Sequence, residues 1–190
     1  MTMHSLYNRA GGMRLLFVAA ALAGGFASSP VLAASQGSLG ATSSGSITIT
    51  ASVPNRARIT GLSDVSFLNQ DPATPASSAE DVCVWSNTAT KGYTITATGS
   101  GAANAFTLSN GSGIVPYSVE WAGTSGQTSG SALTAGTASS SLTSTAVNPT
   151  CSSAPAASAS LIVKMATADL GTMNAGSSYT GTLTLLVTPQ

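Results

Sequence analysis

The chain has 190 residues, with six Lys or Arg, six Asp or Glu, one His and no net charge at pH 7. Charged residues are 6% of it and form no basic patch, which argues against nucleic acid and anionic membranes as partners. The one histidine, His4, sits near the N-terminus in what reads as a leader, so a processed chain has no His-based acid–base catalysis, Ser-His-Asp or Cys-His arrangement, and few zinc options.

Residues 1–33 read as an export signal. Arg9 and Arg14 supply the positive end, Leu15 to Phe26 the apolar run, and Val31-Leu32-Ala33 the cleavage site. Met13-Arg14 followed by the same run is already a complete leader, so Met13 is an alternative start. A membrane anchor is the competing reading, but about twelve apolar residues fall short of the roughly 20 that span a bilayer. No stable membrane insertion is expected after cleavage. The processed chain keeps Arg56, Arg58, Lys91 and Lys164 against Asp64, Asp71, Glu80, Asp81, Glu120 and Asp169, a balance of −2. It divides into an arm, 34–54, and one domain, 55–190, long enough for a single core.

The arm ends in Ser46-Ile47-Thr48-Ile49-Thr50-Ala51-Ser52-Val53. Ile47, Ile49, Ala51 and Val53 alternate with small hydroxylated residues, so a strand puts all four apolar groups on one face. Ile, Val and Thr favour strands, and Pro54 ends the run by removing a ladder N–H. Ahead of it, Ala34 to Gly45 holds one large side chain, Leu39. An apolar strand face on such an arm is buried either in its own sheet or in another copy; the second, strand donation between subunits, is the reading taken here.

Beyond the arm there is no helix signal, and the reading is all-β. Arg56 to Leu62 is a short strand, and Val65 to Phe67 a second. Ala73 to Ala79 is a loop. Asp81 to Ser86 is a strand with Val82 and Val84 on one face and Cys83 and Trp85 on the other. Asn87 to Gly92 is expected to turn it into a hairpin with Tyr93, Ile95 and Ala97 alternating against Thr94, Thr96 and Thr98. Phe106 and Leu108 share a face of a short strand. Ile114 to Ala122 reads as a long strand, with Tyr117, Val119 and Trp121 together and Pro116 marking an edge or bulge. Residues 123–149 are rich in Ser, Thr, Gly and Ala, and suggest surface loops with at most short strands, or a partly disordered insert, anchored by Leu133 and Leu142. Ala159 to Ala166 is a strand with Leu161, Val163 and Met165 on one face. Tyr179 to Thr188 is the last, with Leu183, Leu185 and Val187 facing the core and Leu186 outward. Some seven to nine strands at roughly 8–12-residue spacing suggest an immunoglobulin-like β-sandwich. Two cysteines in an exported chain, Cys83 and Cys151, are expected to pair, two free thiols being the alternative.

Several stretches together resemble the colonization-factor class of fimbrial major subunits, assembled by the alternate chaperone–usher pathway. Ser46 to Val53 resembles that family's N-terminal donor strand. Ser86 to Lys91 resembles its hairpin, and Pro116 to Gly123 its central strand and turn. Leu170 to Thr188, with Ala175-Gly176, Tyr179 and Gly181, resembles its final strand. The matches keep the family's order over most of the processed chain. The Cys83–Cys151 pair and the Ser/Gly-rich 123–149 region stand outside the pattern. The resemblance implies an incomplete immunoglobulin-like fold, lacking its last strand. A periplasmic chaperone fills the groove first and, at an outer-membrane usher, a neighbour's N-terminal strand replaces it. Ile47, Ile49, Ala51 and Val53 would be the inserted side chains. Tyr179, Leu183, Leu185 and Val187 would lie on the acceptor strand. Partners would be other copies or related pilins, and the location the cell surface, reached through the periplasm.

Glu80 and Asp81, with Asp64 and Asp71, match no EF-hand spacing and read as solvated turn residues rather than a calcium site. Asp64 and Glu120 as a glycosidase pair have no cleft signal. Trp85 is expected to pack near the disulfide; Trp121 packs in the core or, half exposed, stacks on a sugar. No G-x-S-x-G occurs. No cofactor, metal or reaction is expected. The alternative function is a secreted monomeric β-sandwich that binds carbohydrate or another surface ligand.

Overall fold

The computed structural model describes residues 33–190. The expected export signal lies outside the described residues, apart from Ala33. The chain divides between Ala51 and Ser52. In the first unit Ser35 and Ser46 form an antiparallel bridge. Each backbone N–H donates to the other's carbonyl, at 2.9 and 3.0 Å, and their hydroxyls are 2.8 Å apart.

The second unit is all-β and antiparallel. Its strands are β1 (Ala57–Thr60), β2 (Ala76–Ser86), β3 (Gly92–Gly99), β4 (Thr107–Ser109), β5 (Ile114–Pro116), β6 (Ser118–Ala122), β7 (Ser131–Ala132), β8 (Leu142–Thr143), β9 (Ala159–Met165) and β10 (Leu183–Pro189). One sheet has the order β1-β2-β9-β6-β7, a second the order β10-β3-β8, and β4 pairs with β5 alone. A single helical turn, α1 (Thr167–Leu170), follows β9, where no helix was expected. Among the described residues no helix is long and apolar enough to cross a membrane.

Both larger sheets feed one core. Val82 and Val84 of β2, Val119 and Trp121 of β6, and Leu161, Val163 and Met165 of β9 meet Tyr93 and Ile95 of β3. The period-two pattern explains this directly, since alternate side chains of each strand share a face. Ile162 is also fully buried, on the opposite face of β9, the middle strand of its sheet.

Several expectations need correction. Asp81–Ser86 and Tyr93–Thr98 are not a hairpin: β2 and β3 lie in different sheets, and residues 87–91 carry the chain across. Ser86 and Thr88 hydroxyls, 3.1 Å apart, and a Lys91 N–H to Thr88 carbonyl bond of 3.0 Å close this crossover. Both valines and the Tyr93 row point into the same core from different sheets. The loop expected at Ala73 to Ala79 is half strand, because Ala76 to Val82 pair with Met165 to Ala159; the cross-strand ladder overrides weak intrinsic propensity. Val65 to Phe67 is not a strand, although Val65 and Phe67 pack on the core. The expected long strand Ile114 to Ala122 breaks at Tyr117, after Pro116, into β5 and β6. Tyr179 is not in the last strand: Thr180 bridges Ser109, and β10 begins at Leu183.

Residues 123–149 are stitched to both sheets. Leu133 N–H donates to Val119 carbonyl, Gly136 N–H to Ala97 and Ser139 N–H to Ile95, each at 2.8 Å. The segment thereby covers one edge of β3, while β10 covers the other. Leu133 and Leu142 pack on the core as anchors. Cys83 and Cys151 form a disulfide, Cα atoms 5.9 Å apart, in a small cluster with Ala146 and Trp85. Ladder pairing of β2 with β9 stops at Val82. Beyond it, Val84 N–H donates to Ser158 Oγ at 2.8 Å, and Val84 carbonyl accepts from the Ser158 and Ser144 hydroxyls. Two buried serines thus satisfy backbone groups that a strand would otherwise meet.

Candidate assembly edge and donor segment

The expected acceptor strand, β10, ladders with β3 along its whole length, from Leu183 opposite Gly99 to Pro189 opposite Tyr93. It is the end strand of its sheet. Leu183, Leu185 and Val187 pack on the core as expected but stay half-buried, whereas Ile95 and Ala97 of β3 are 0% exposed. The apolar row is covered by β3 on one side, and on the other no strand ladders with it. Unpaired N–H and C=O groups on such an edge template another strand.

Across from it lies β1, the end strand of the other sheet. Ile59 of β1 packs on the same core, half-buried. The sequence reading missed β1 as a flank of this site; the alternation of Ala57, Arg58 and Ile59 was the available signal. No ladder joins β1 to β10, although their Cα atoms approach within 8 Å. An intervening strand sets its two neighbours roughly 9.6 Å apart. Accepting one therefore means that β1 moves outward by a few ångströms. β1 has only four residues and turns into Gly61, whose φ is +84°. Its other end is pinned by Asn87, which accepts from Arg56 N–H at 2.6 Å and donates to the Pro54 carbonyl at 3.0 Å.

Tyr179 stands apart from this row. Its hydroxyl accepts from Asn174 N–H at 3.1 Å, and Tyr179 is half-buried against the core. It closes the loop before β10 rather than lining the strand.

The expected donor residues are exposed. Ile47, Ile49 and Val53 are 74, 83 and 82% exposed, Ala51 is exposed, and residues 47–53 belong to no strand. Pro54 and Asn55 carry the chain to β1.

The remaining polar candidates are engaged singly. Asp81 accepts from Gly126 N–H at 2.6 Å and from the Ser160 hydroxyl at 2.8 Å, which hold its carboxyl below the usual range. Glu120 is lowered chiefly by Lys164, 2.7 Å away, and then by Gly130 N–H. Glu80 accepts from Ser63 N–H, and Asp71 from Ala73 N–H. Among the described residues no three acidic, His or Cys groups come together as a metal site requires. Trp121 is 2% exposed and its indole N–H donates to Tyr93 Oη at 3.4 Å, so it presents no face to a sugar. Trp85 lies against the disulfide, as expected.

No protein-family model matches the chain, and no curated protein sequence matches it. Among solved structures, a chain of a chaperone–tip adhesin complex in CFA/I fimbriae biogenesis aligns over 72% of this chain and 41% of its own, at 18% identity and a TM-score of 0.45. A chain of the CsuC–CsuE chaperone–tip adhesion subunit pre-assembly complex, from archaic chaperone-usher Csu pili of Acinetobacter baumannii, aligns over 71% of this chain and 40% of its own, at 19% identity and a TM-score of 0.38. The chain spans about two fifths of the length of each.

Proposed function

We propose that this chain is an exported structural subunit of a surface fibre, polymerised head to tail by strand donation and contributing to adhesion. On this reading residues 1–33 are removed, 34–54 form the arm, and 55–190 form the receiving domain. Ile47, Ile49, Ala51 and Val53 of one copy enter beside Leu183, Leu185 and Val187 of the next. The observation that carries the reading is the half-open inward row of β10, facing the same core that fully buries its partners on β3. The exposed, alternating apolar side chains of residues 47–53 supply the chemistry that such a row would take.

Burying three branched side chains and Ala51 yields on the order of 5–8 kcal/mol before ordering costs. Backbone bonds along the edge set direction and register. Such a contact is head-to-tail and does not close on itself, so it grows a filament. The free edge invites aggregation, which gives a periplasmic chaperone its purpose and an usher its place at the outer membrane. The role is structural and needs no reaction. The competing monomeric binding module loses its sugar-stacking candidate, because Trp121 is buried.

The test is assembly by the full-length chain in its own cells, read by electron microscopy and light scattering. Ile49→Asp is expected to give a folded chain that does not polymerise. Filaments of normal length from that variant contradict the reading.

A further inference from the structure

Outside the Lys164–Glu120 ion pair, the charged side chains of residues 34–190 are sorted by sign along the sheet. Arg56, Arg58 and Lys91 lie at the end where β2 finishes and β3 begins. Arg58 stands opposite Trp85 in the β1–β2 ladder, Arg56 N–H donates to the Asn87 side chain, and Lys91 precedes Gly92, the first residue of β3. Residues 82–90 and 142–158, which share this end, contain no acidic side chain. Gln190, whose N–H donates to the Gly92 carbonyl at 2.9 Å, adds at most one negative charge.

The anions lie toward the other end. Past Gly61 the chain runs back along β2, so that Ser63 N–H reaches Glu80 at 3.2 Å, and Asp64 follows. Asp71 accepts from Ala73 N–H at 2.9 Å in the turn that leads into Ala76, where β2 starts. Asp169, in α1, comes just after Met165, the residue opposite Ala76. Asp81 sits mid-strand, its carboxylate held by Gly126 and Ser160. Arg56, Arg58, Asp64 and Asp71 are exposed; Lys91, Glu80 and Asp169 are half-buried. From Trp85, opposite Arg58, to Glu80 is roughly 17 Å at the rise of a strand. That is about two Debye lengths at physiological salt. The two sets therefore barely feel each other within one molecule, and each is left without an opposite charge to meet.

We propose that these ends dock on each other between successive copies, the cationic end of one subunit on the acidic end of the next. The inference deepens the strand-donation reading and rests on it for the occupant. Charge complementarity makes that occupant a second copy, since one chain carries both halves of the match. Two cationic ends, or two acidic ends, repel, so the contact forms in one orientation only. It is heterologous, and repeats from copy to copy without closing. The arm leaves the cationic end, because Pro54 and Arg56 are both bonded to Asn87 there. Stacked this way, Val53 reaches the receiving subunit at the end where β10 begins, and the arm runs antiparallel to β10. Antiparallel ladders are the more stable per residue. The arm itself carries no charge from 34 to 55, so attraction between the bodies guides the encounter and the apolar side chains then seal it.

The experiment scores filament mass from the full-length chain in its own cells by electron microscopy. Uptake of the uncharged peptide of residues 46–54 by purified monomer is the separate readout of strand donation. Arg56→Glu/Arg58→Glu leaves both ends acidic, and Asp64→Lys/Asp71→Lys/Asp169→Lys leaves both ends cationic. Each variant alone is expected to lower filament mass about tenfold, the low end of what charge steering supplies. Expressed together they are expected to restore it, because each then meets an opposite end on the other. Peptide uptake is expected to stay at the native level in both. Either variant assembling like the native chain overturns the proposal, as does a co-expressed pair that stays at the level of the single variants. With peptide uptake intact, those results leave strand donation standing. A native chain that neither takes up the peptide nor makes filaments removes both readings.

Discussion

Val187 stands opposite Ile95 across the ladder between β10 and β3, yet Ile95 is fully buried and Val187 is not. Both side chains face one core. They differ in their neighbours, since β3 is covered along both edges and β10 along one. A truncation therefore costs less on β10 than on β3 while the subunit is alone. Ile95→Ala is expected to destabilise the monomer by about 3–4 kcal/mol and Leu185→Ala by about 1–2 kcal/mol. Urea unfolding of monomer checks the order. Equal losses would mean that the β10 row is already sealed.

The disulfide spans a sequence separation of 68 and ties the end of the low-complexity segment to β2. Closing a loop of that size contributes about 4 kcal/mol in the chain-entropy argument. Cys83→Ala/Cys151→Ala is expected to lower the melting temperature by about 10 °C or more, given the usual entropy of unfolding. Trp85 fluorescence should change with it, since Trp85 packs on the pair. A melting temperature within a degree or two of native, against the expected ~10 °C fall, would show the tether to be idle.

Acid should loosen the loop that carries Gly126 and Gly130. Asp81 and Glu120 both have lowered folded-state pKa values, from backbone and side-chain bonds in one case and from Lys164 first in the other. A lowered value means that the folded state favours the ionised form. The stabilisation is present above the ordinary carboxylate range, near pH 4, and is lost as pH falls through the folded-state values. Stability measured against pH should be level from about 5 to 7 and decline below about 4. Asp81→Asn with Glu120→Gln should flatten that decline. An unchanged acid limb would assign it to other carboxylates.

Trp121→Ala tests the binding-module alternative. The side chain is buried and bonded to Tyr93 Oη, so its removal is expected to cost about 3–5 kcal/mol of stability. A stable variant that has lost affinity for a glycan would reverse the assignment.

Much of the fold was legible because strands advertise themselves by alternation. Ile95 and Ala97, Leu161 and Val163, and Leu183 to Val187 all point where a period of two sends them. What alternation omits is which strands pair. Asn87 to Gly92 has the composition of a hairpin turn, and only the shared core reveals that it crosses between sheets. Ala76 to Ala79 lack strand-forming side chains, and their state is set by β9. Ser144 and Ser158 lay hidden among many serines; what singles them out is the backbone of Val84, which lies beyond the β9 ladder and bonds to their hydroxyls instead. At the candidate site, Leu183, Leu185 and Val187 were readable as an inward row, Tyr179 was misplaced, and β1 was readable as a strand within Arg56 to Leu62 but not as a neighbour of β10. An edge is a property of the assembled sheet and leaves no mark on a single strand.

The most direct measurement is thermal unfolding of the full-length Ile49→Asp chain with and without a synthetic peptide of residues 46–54. With peptide about 100-fold above its dissociation constant, a ligand that binds only the folded state adds about 2.7 kcal/mol. For a domain of this size that is a rise on the order of 10 °C. This rise is expected with the native peptide and none with a peptide carrying Asp in place of Ile49. An unchanged melting temperature with the native peptide would contradict it, because the β10 edge would then have no use for the strand.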